Sequence, residues 1–424
     1  MSETPSAPQK KKLLTPTLIR DVDKWVGIPM CFVLTLFRLA MKALRGGRER
    51  VRGPLDRILF IKMTELGATL IAHPAIQRAI ELVGRDNVYF WVFEENRAIL
   101  ELLDVIPRQN ILTVRTDKPM QFVLDVLKSL WTLRVKRIDA TIDLEFFARA
   151  SAIFAYLCGA RRRAGLHAFT NEGPYRGDLM THRVAYNAYV HTSVMSQILV
   201  ESLVADPDDL PLLKADPPVK QGYVPQYEPS NDDRVQVRAL LSGLGVAEGA
   251  DIVLLNPNAS DLLPLRKWPT ERFEELARKI LDHHPEITVV FTGAPAEAPQ
   301  AESLVSRLAT PRAVSMAGHT TMRQLLTLYG MSRILVTNDS GPAHFSAMTP
   351  VHTITMFGPE TPLLYEPLGG RGSVVWAGLA CSPCVNVYNH RFSPCRNNVC
   401  MQAITVEQVY AKVTHALRTP AAIR

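Results

Sequence analysis

The stretch Thr337-Asn338-Asp339-Ser340-Gly341-Pro342-Ala343-His344 sets an acid, a hydroxyl, a glycine and a histidine close together. Residues 333–336 in front of it read as a short buried strand, and residues 343–348 behind it as the first turns of a helix. Asp339 or Ser340 can cap that helix, Gly341 lets a ligand approach the backbone, and Pro342 suits the first helical position. A strand ending in such a turn aims unpaired N–H groups, with roughly half a positive charge, at whatever lies beyond the sheet. The chemistry implied is phosphate binding. His344, three residues past Gly341, shares the helix face and can reach the same ligand. Glu297, in Thr292-Gly293-Ala294-Pro295-Ala296-Glu297, follows the carboxyl end of another candidate strand, where α/β sheets bind ligands. A first-turn Glu is equally explained by the helix dipole.

These residues need a sheet to hold them, and the chain supplies alternating strand and helix patterns. Strands are expected at 57–62, 88–93, 110–114, 138–144 and 161–166, the last closing the series. A second set is expected at 252–256, 287–292, 313–316, 334–336 and 352–356. Helical patterns lie between them, with one expected over 70–82, a long one over 187–204 and a final one over 406–417; Thr270 reads as an N-cap. Such alternation implies parallel sheets covered on both faces. A chain of 424 residues exceeds what one core usually serves. The expected organisation is an arm over 1–50, a first domain over 51–204, a linker over 205–230, a second domain over 231–380, and a Cys-containing loop with a closing helix over 381–424. Asp206-Pro207-Asp208 imitates a metal-binding Asp-x-Asp, but a Pro-rich linker explains it more economically. Neither Gly-x-Gly-x-x-Gly nor a Walker loop occurs, which removes the main supports for dinucleotide redox chemistry and P-loop hydrolysis.

An apolar content of 47% with 21% charged residues describes a globular protein. The net charge of +7 sits entirely in residues 1–57, where twelve basic side chains face five acidic ones, so a general nucleic-acid surface is not implied. Trp25 to Phe37 is an uncharged run of thirteen residues. It is short of the roughly 20 needed to cross a bilayer. Basic residues follow it, Arg38 and Lys42 and then Arg45, Arg48, Arg50 and Arg52. The pattern suits a helix lying in an anionic lipid interface, with a core helix and a signal peptide as rivals. Cys31 and Cys158 fall in apolar stretches. Cys381, Cys384, Cys395 and Cys400, spaced C-x2-C-x10-C-x4-C, are open to zinc, disulfides or reduced thiols; any metal there would be structural.

The run from Thr337 to His344, the strand after it and Phe357-Gly358-Pro359-Glu360-Thr361-Pro362 resemble the donor-site signature of glycosyltransferase family 9, the ADP-heptose:lipopolysaccharide heptosyltransferases and their relatives. The resemblance implies a GT-B fold, two Rossmann-like domains with parallel sheets facing across a cleft, the second holding the donor. Asn256-Pro257-Asn258-Ala259-Ser260 with Leu265-Arg266-Lys267-Trp268-Pro269 resembles the second donor motif. Arg266 falls where the family has a phosphate-binding Lys, and Lys267 is adjacent. Glu297 would hold the donor ribose. Asp339, Ser340, Gly341 and His344 would complete the donor site. Residues 61–75 resemble the opening loop, in which many members carry a catalytic Asp directly after the Gly. Here that position is Ala68, so Glu65 becomes the candidate base, with His73 behind it.

The implied protein is an inverting, metal-independent glycosyltransferase without a cofactor, peripheral on the cytoplasmic face of a bacterial inner membrane. Its donor would be a nucleoside diphosphate sugar, ADP-linked by family precedent, its acceptor a lipopolysaccharide core or similar glycan. Domain closure would bring base and donor together. A catalytically silent sugar-nucleotide-binding relative and a nucleotide-sugar epimerase are the alternatives.

Overall fold

The computed structural model describes residues 16–44, 46, 53–170, 172–214, 224–259 and 263–418. Helices α1 (Pro16–Trp25) and α2 (Gly27–Leu44) precede β1 (Ile58–Ile61), α3 (Leu66–Ile71) and α4 (His73–Val83). Next come β2 (Val88–Phe93), α5 (Arg97–Leu103), β3 (Ile111–Val114), α6 (Pro119–Val135), β4 (Ala140–Asp143) and α7 (Arg149–Leu157). Then follow β5 (Arg162–Leu166), β6 (His182–Val184) and α8 (Thr192–Ser202). The later half runs α9 (Asn231–Gly243), β7 (Asp251–Asn256), α10 (Thr270–His283), β8 (Ile287–Phe291), α11 (Ala298–Leu308) and β9 (Ala313–Ser315). It continues with α12 (Met322–Met331), β10 (Ile334–Asn338), α13 (Gly341–Ser346) and β11 (His352–Phe357). Last are α14 (Pro362–Tyr365), β12 (Gly372–Trp376), α15 (Val399–Gln402) and α16 (Val406–Arg418).

All pairings are parallel, in two six-stranded sheets ordered β3-β2-β1-β4-β5-β6 and β12-β11-β10-β7-β8-β9. Each sheet reverses its order beside its first strand, between β1 and β4 in one and between β7 and β10 in the other. Ligands of such sheets bind beyond the carboxyl ends of the strands at that reversal. Apart from the edge strands β3 and β12, the strands are buried along most of their length (β1 and β8 throughout), as expected when helices cover both faces.

The described residues form two compact units, each with one sheet. One comprises those up to Thr64 with Ile76–Tyr186 and 198–217; the other comprises Glu65–Ala75, Asn187–Gln197 and those from 218 onward. Residues 65–75 therefore pack with the second unit although they follow β1. The sixth strands β6 and β12 were not expected: the first series does not close at Leu166. The helix expected over 70–82 is two, α3 and α4, broken at Ala72 ahead of Pro74, which sits where a missing N–H does no harm. Thr270 is the first helical residue of α10 and not its cap; its hydroxyl accepts from Gln300 Nε2 at 2.7 Å.

The N-terminal helices dock on the first unit through a narrow stripe. Gly27, Cys31 and Arg38 are buried; Arg38 pairs with Asp178, and Asp23 receives Arg149 Nη1 at 2.9 Å. Gly177 permits this approach, since a Cβ there would lie 2.8 Å from the Cys31 carbonyl, and its φ of +70° already favours glycine. Trp25, Phe32, Val33, Leu36 and Phe37 face outward. Residues 20–44 are, by length and composition alone, long and apolar enough to cross a membrane, because the helix continues through Arg38 and Lys42. Lys10 to Lys12, Arg45, Arg48, Arg50 and Arg52 lie outside the described residues, as do Ser260 and part of the linker.

In the second unit α10, α11 and α16 cover one face of the sheet. Trp268, Phe273, Leu276, Ile280, Leu304, Val409 and Val413 pack on Val253, Val289, Phe291 and Val336. Trp268 meets Phe273 edge to face at 5.0 Å, and its indole donates to the Ile404 carbonyl at 2.9 Å. Phe273→Ala should cost roughly 3–5 kcal/mol of the second unit's stability, read from urea unfolding.

Candidate functional site

At the reversal point of the second sheet the ladder hydrogen bonds stop and asparagine side chains replace them. Asn338, the last residue of β10, accepts from the Trp268 backbone N–H at 3.0 Å and donates to the Asn258 carbonyl at 3.1 Å. Asn256, the last of β7, donates to Thr292 at 3.2 Å and accepts from the Asn258 N–H at 3.2 Å. The carboxyl ends of β7, β8 and β10 are thereby tied into one rim.

Arg266 projects onto that rim from the turn ahead of Trp268. Its Nη1 donates to the Asp339 carbonyl at 3.2 Å, its Nη2 pairs with Glu360, and its Nε faces Asp339 Oδ2 at 3.5 Å. Arg391 completes the set. It donates to Glu360 Oε1 from Nε at 3.0 Å and from Nη2 at 2.8 Å, and it pairs through Nη1 with Glu65. Its guanidinium also lies over the Tyr365 ring at 5.6 Å. Two guanidiniums thus share three carboxylates, with Asp339 and Glu360 almost fully buried. Glu65 is held at φ +67°, outside ordinary backbone for a residue with a side chain. His344, on α13, packs against α3: a Cβ on Gly67 would lie 2.6 Å from its Cδ2, so the glycine is required by the imidazole.

Arg266, Asp339, Ser340, Gly341, His344 and Glu65 are accordingly brought to one place. Arg266 is no solvated tip; its side chain is only 12% exposed and is already engaged by carboxylates. Ser340 occupies the N-cap position of α13 without capping it, its hydroxyl instead donating to the Asn338 carbonyl at 3.2 Å. The glycine at 341 also has an internal reason, since a Cβ there would meet the Phe345 ring at 3.2 Å. α13 is only six residues long. Its dipole is correspondingly small, and the hydrogen-bond donors at this corner are chiefly the guanidinium N–H groups of the two arginines, whose charge the three acids offset. Glu297 stands on the neighbouring rim, accepting from the Ala294 N–H at 2.7 Å beside Gly293 and Asn258. Lys267 has its carbonyl held by Asn398 at 2.9 Å. His73 is fully buried at the start of α4. Among the described residues no set of His, Cys, Asp or Glu is arranged to hold a metal ion, and the four loop cysteines are free thiols.

Arg391 and Glu360 were not singled out by sequence reasoning. Glu360 lies inside the Phe357–Pro362 motif, where its neighbours mark it. Arg391 follows His390 in the Cys-containing loop, both at positive φ, and no spacing announces it.

Burial, with the Glu360 charge beside it, pushes the Asp339 carboxyl up to about 7 against the pull of Arg266. Burial opposes charge on Arg266 and Arg391 too, but the carboxylates hold both above the ordinary arginine value. Burial and then the Arg266 charge bring His344 down to about 3, so its imidazole is neutral at physiological pH. Several polar atoms here are buried without a hydrogen-bond partner among the described residues: His344 Nδ1, Asp339 Oδ2, Arg266 Nε, and Nδ2 and Oδ1 of Asn258. Arg266 Nε and Asp339 Oδ2 have only each other, at 3.5 Å, while His344 Nδ1 and the Asn258 amide lack even that; an unmet buried polar atom costs about 1–3 kcal/mol, which makes this switch point the candidate ligand site. A carboxyl raised in the folded state stabilises fully below its unfolded pKa and loses that contribution as pH rises through the folded value. The unfolding free energy of the wild type minus that of Asp339→Asn should fall between pH 3.8 and about 7 and then level off. Thermal melts across that range check it; a flat difference would mean Asp339 stays ionised.

The model for glycosyltransferase family 9 (heptosyltransferase) matches residues 126–392. Lipopolysaccharide heptosyltransferase 2 of Salmonella typhimurium is 23% identical over 248 residues, 58% of this chain and 66% of that protein. Lipooligosaccharide heptosyltransferase 2 of Campylobacter jejuni is 26% identical over 173 residues, 40% of this chain and 52% of that protein. The chain thus spans about half the length of the Campylobacter relative. The solved Escherichia coli ADP-heptose lipopolysaccharide heptosyltransferase II superposes with a TM-score of 0.64 at 18% identity, covering 85% of this chain and 98% of that one. A family 9 glycosyltransferase from Veillonella parvula gives the same TM-score over 87% and 99%. The two parallel sheets are the GT-B arrangement of those structures, and with the family model spanning well over half of its length, the chain belongs to glycosyltransferase family 9.

Proposed function

We propose that this protein is an inverting glycosyltransferase that moves a heptose or related sugar from an ADP-linked donor to a lipopolysaccharide core or similar glycan. The observation that carries the reading is the paired guanidinium cluster at the reversal point of the second sheet, inside the region matched by the family. In this scheme the acceptor hydroxyl oxygen attacks the anomeric carbon as the carbon–oxygen bond to the diphosphate breaks, and Glu65 takes the hydroxyl proton. The departing nucleoside diphosphate carries the developing charge, and Arg266, Arg391 and the Ser340–His344 corner stabilise it without a metal ion. Asn258 and Glu297, along the same rim, suit the nucleoside end, while Lys267 adds positive charge nearby. The diphosphate must displace carboxylate from the guanidiniums, and the displaced partner available for catalysis is Glu65. Its exchange off Arg391 would couple donor binding to the freeing of the base.

The N-terminal helices are proposed to hold the protein on the cytoplasmic face of an inner membrane, with no nucleic-acid partner. Support comes from their outward apolar face and from the basic excess of residues 1–57.

The test incubates the full chain with ADP- and UDP-linked sugars, with and without glycan acceptor. Acceptor-dependent ADP release supports the proposal. Donor binding without transfer would identify the silent relative that Ala68 and the carboxylate-filled cluster also fit, and epimer formation would replace transfer with isomerisation. Glu65→Gln should lower kcat by roughly 10²–10⁴-fold without weakening ADP binding, which should tighten because Arg391 no longer has to give up a carboxylate; unchanged turnover removes Glu65 from the mechanism. Arg266→Lys keeps the charge but loses the two-pronged grip. ADP binding should weaken by about 1.5–3 kcal/mol in isothermal titration.

A further inference from the structure

We infer that α6 is a second lipid-contact element, seating its outer face in an anionic bilayer surface. The helix buries Val126 and Leu133, with Phe122 and Leu130 beside them, in the core of the first unit. On its opposite side Met120, Val123, Leu124, Leu127, Trp131 and Val135 are all exposed, Met120 by 72% and Trp131 by 68%. Their spacing places them on one stripe running the length of the helix. α6 is therefore apolar on two opposed faces, of which the fold uses one. Nothing about a solvated helix calls for the other.

The charges choose the occupant. Lys118, Lys128, Arg134, Lys136 and Arg137, on and flanking the helix, are all exposed and basic. The only acid of the helix, Asp125, is turned inward and gripped by Arg115 at 2.9 Å from both Nε and Nη2, while Asp117, in the turn before it, is half-buried. An apolar stripe with a tryptophan and five exposed basic residues on and beside it matches the boundary between anionic headgroups and acyl chains. The N-terminal helices add continuity. Cys31 of α2, Val126 and Leu133 of α6, and Ile153 and Ala155 of α7 belong to one core over the same side of the first sheet. Two helices that build on one core thus each leave an apolar face exposed on a single unit. The inference rests on the membrane reading proposed for the N-terminal helices and extends it to α6; it does not depend on the transfer chemistry.

The test is flotation of the full chain with vesicles of phosphatidylcholine alone or with phosphatidylglycerol added. Leu127→Ser with Trp131→Ser touches only exposed positions, so circular dichroism melts should match the wild type. Its partitioning to phosphatidylglycerol vesicles should fall by at least about tenfold, since each large apolar side chain withdrawn from lipid accounts for a factor of that order. Lys128→Glu with Lys136→Glu should weaken binding to the anionic vesicles by about fivefold or more per position and leave the neutral ones unaffected. A parallel variant, Phe32→Ser with Phe37→Ser, separates the two readings. If it loses binding while the α6 variants float as wild type does, the N-terminal helices hold the membrane and the inference for α6 is overturned. If no variant changes flotation, both readings fail. If the α6 variants instead convert a dimer to a monomer in sedimentation, the face belongs to a second copy of the chain, and the inference is again overturned.

Discussion

The second unit is built round a charge arrangement that would not survive in parts. Asp339, Glu360 and Glu65 meet Arg266 and Arg391 in surroundings that exclude most water. Taking these ions out of water costs several kcal/mol apiece, and their mutual attraction offsets that only while each charge keeps its partner. One excess acid remains, and the site resolves it by raising Asp339 toward neutrality. The cluster is thus close to charge-balanced, which makes it tolerable when it stands alone. It is also unable to draw an anion by net charge. Under the proposed function an anion would enter by exchange, taking guanidinium N–H groups that a carboxylate gives up.

The fold explains why such an arrangement can be kept. Parallel strands end together at the reversal between β7 and β10, leaving backbone groups that Asn256, Asn258 and Asn338 satisfy through side chains. That rim anchors Trp268 by its backbone, and Trp268 is locked into the core beneath by its own indole. Arg266, two residues earlier, inherits a fixed origin. Glu65 and Arg391 come from segments far apart in the chain, and both carry positive φ. Backbone of that kind costs on the order of 1–3 kcal/mol per residue and persists where surroundings over-determine it. Here the ion pair between them supplies part of that determination, so strain and charge meet at the two residues whose separation the proposed chemistry requires.

What could be read in the sequence follows from how local each signal is. Strands β1 and β2 are uninterrupted apolar runs, β7 and β8 are apolar but for a polar residue or two, and their positions follow from pattern alone. β6 has three residues, and β12 opens on a glycine and is largely uncovered, so neither forms a run to recognise. The corner at Asp339–His344 is legible because a strand, a turn and a Pro-bearing helix start lie in one short segment. Its electrostatics are not. The burial of Arg266 depends on Glu360, 94 residues on, and the partner of Glu65 lies 326 residues away. No periodicity encodes such meetings. The same limit hides the outer face of α6, since a helix apolar on both sides looks, residue by residue, like a well-buried one.

The helix start at Gly341 shows how geometry reorders a local argument. A strand-to-helix corner is a sound reason to expect bound phosphate, but α13 stops after six residues and Ser340 turns its hydroxyl back to the strand. Two guanidiniums carry ten N–H donors between them, and the acids and the Asp339 carbonyl engage only some of these. The remaining donors, with the unpartnered Nδ1 of neutral His344, form the larger store of hydrogen-bonding capacity. In the proposed reading a diphosphate at this corner would be held chiefly by arginine.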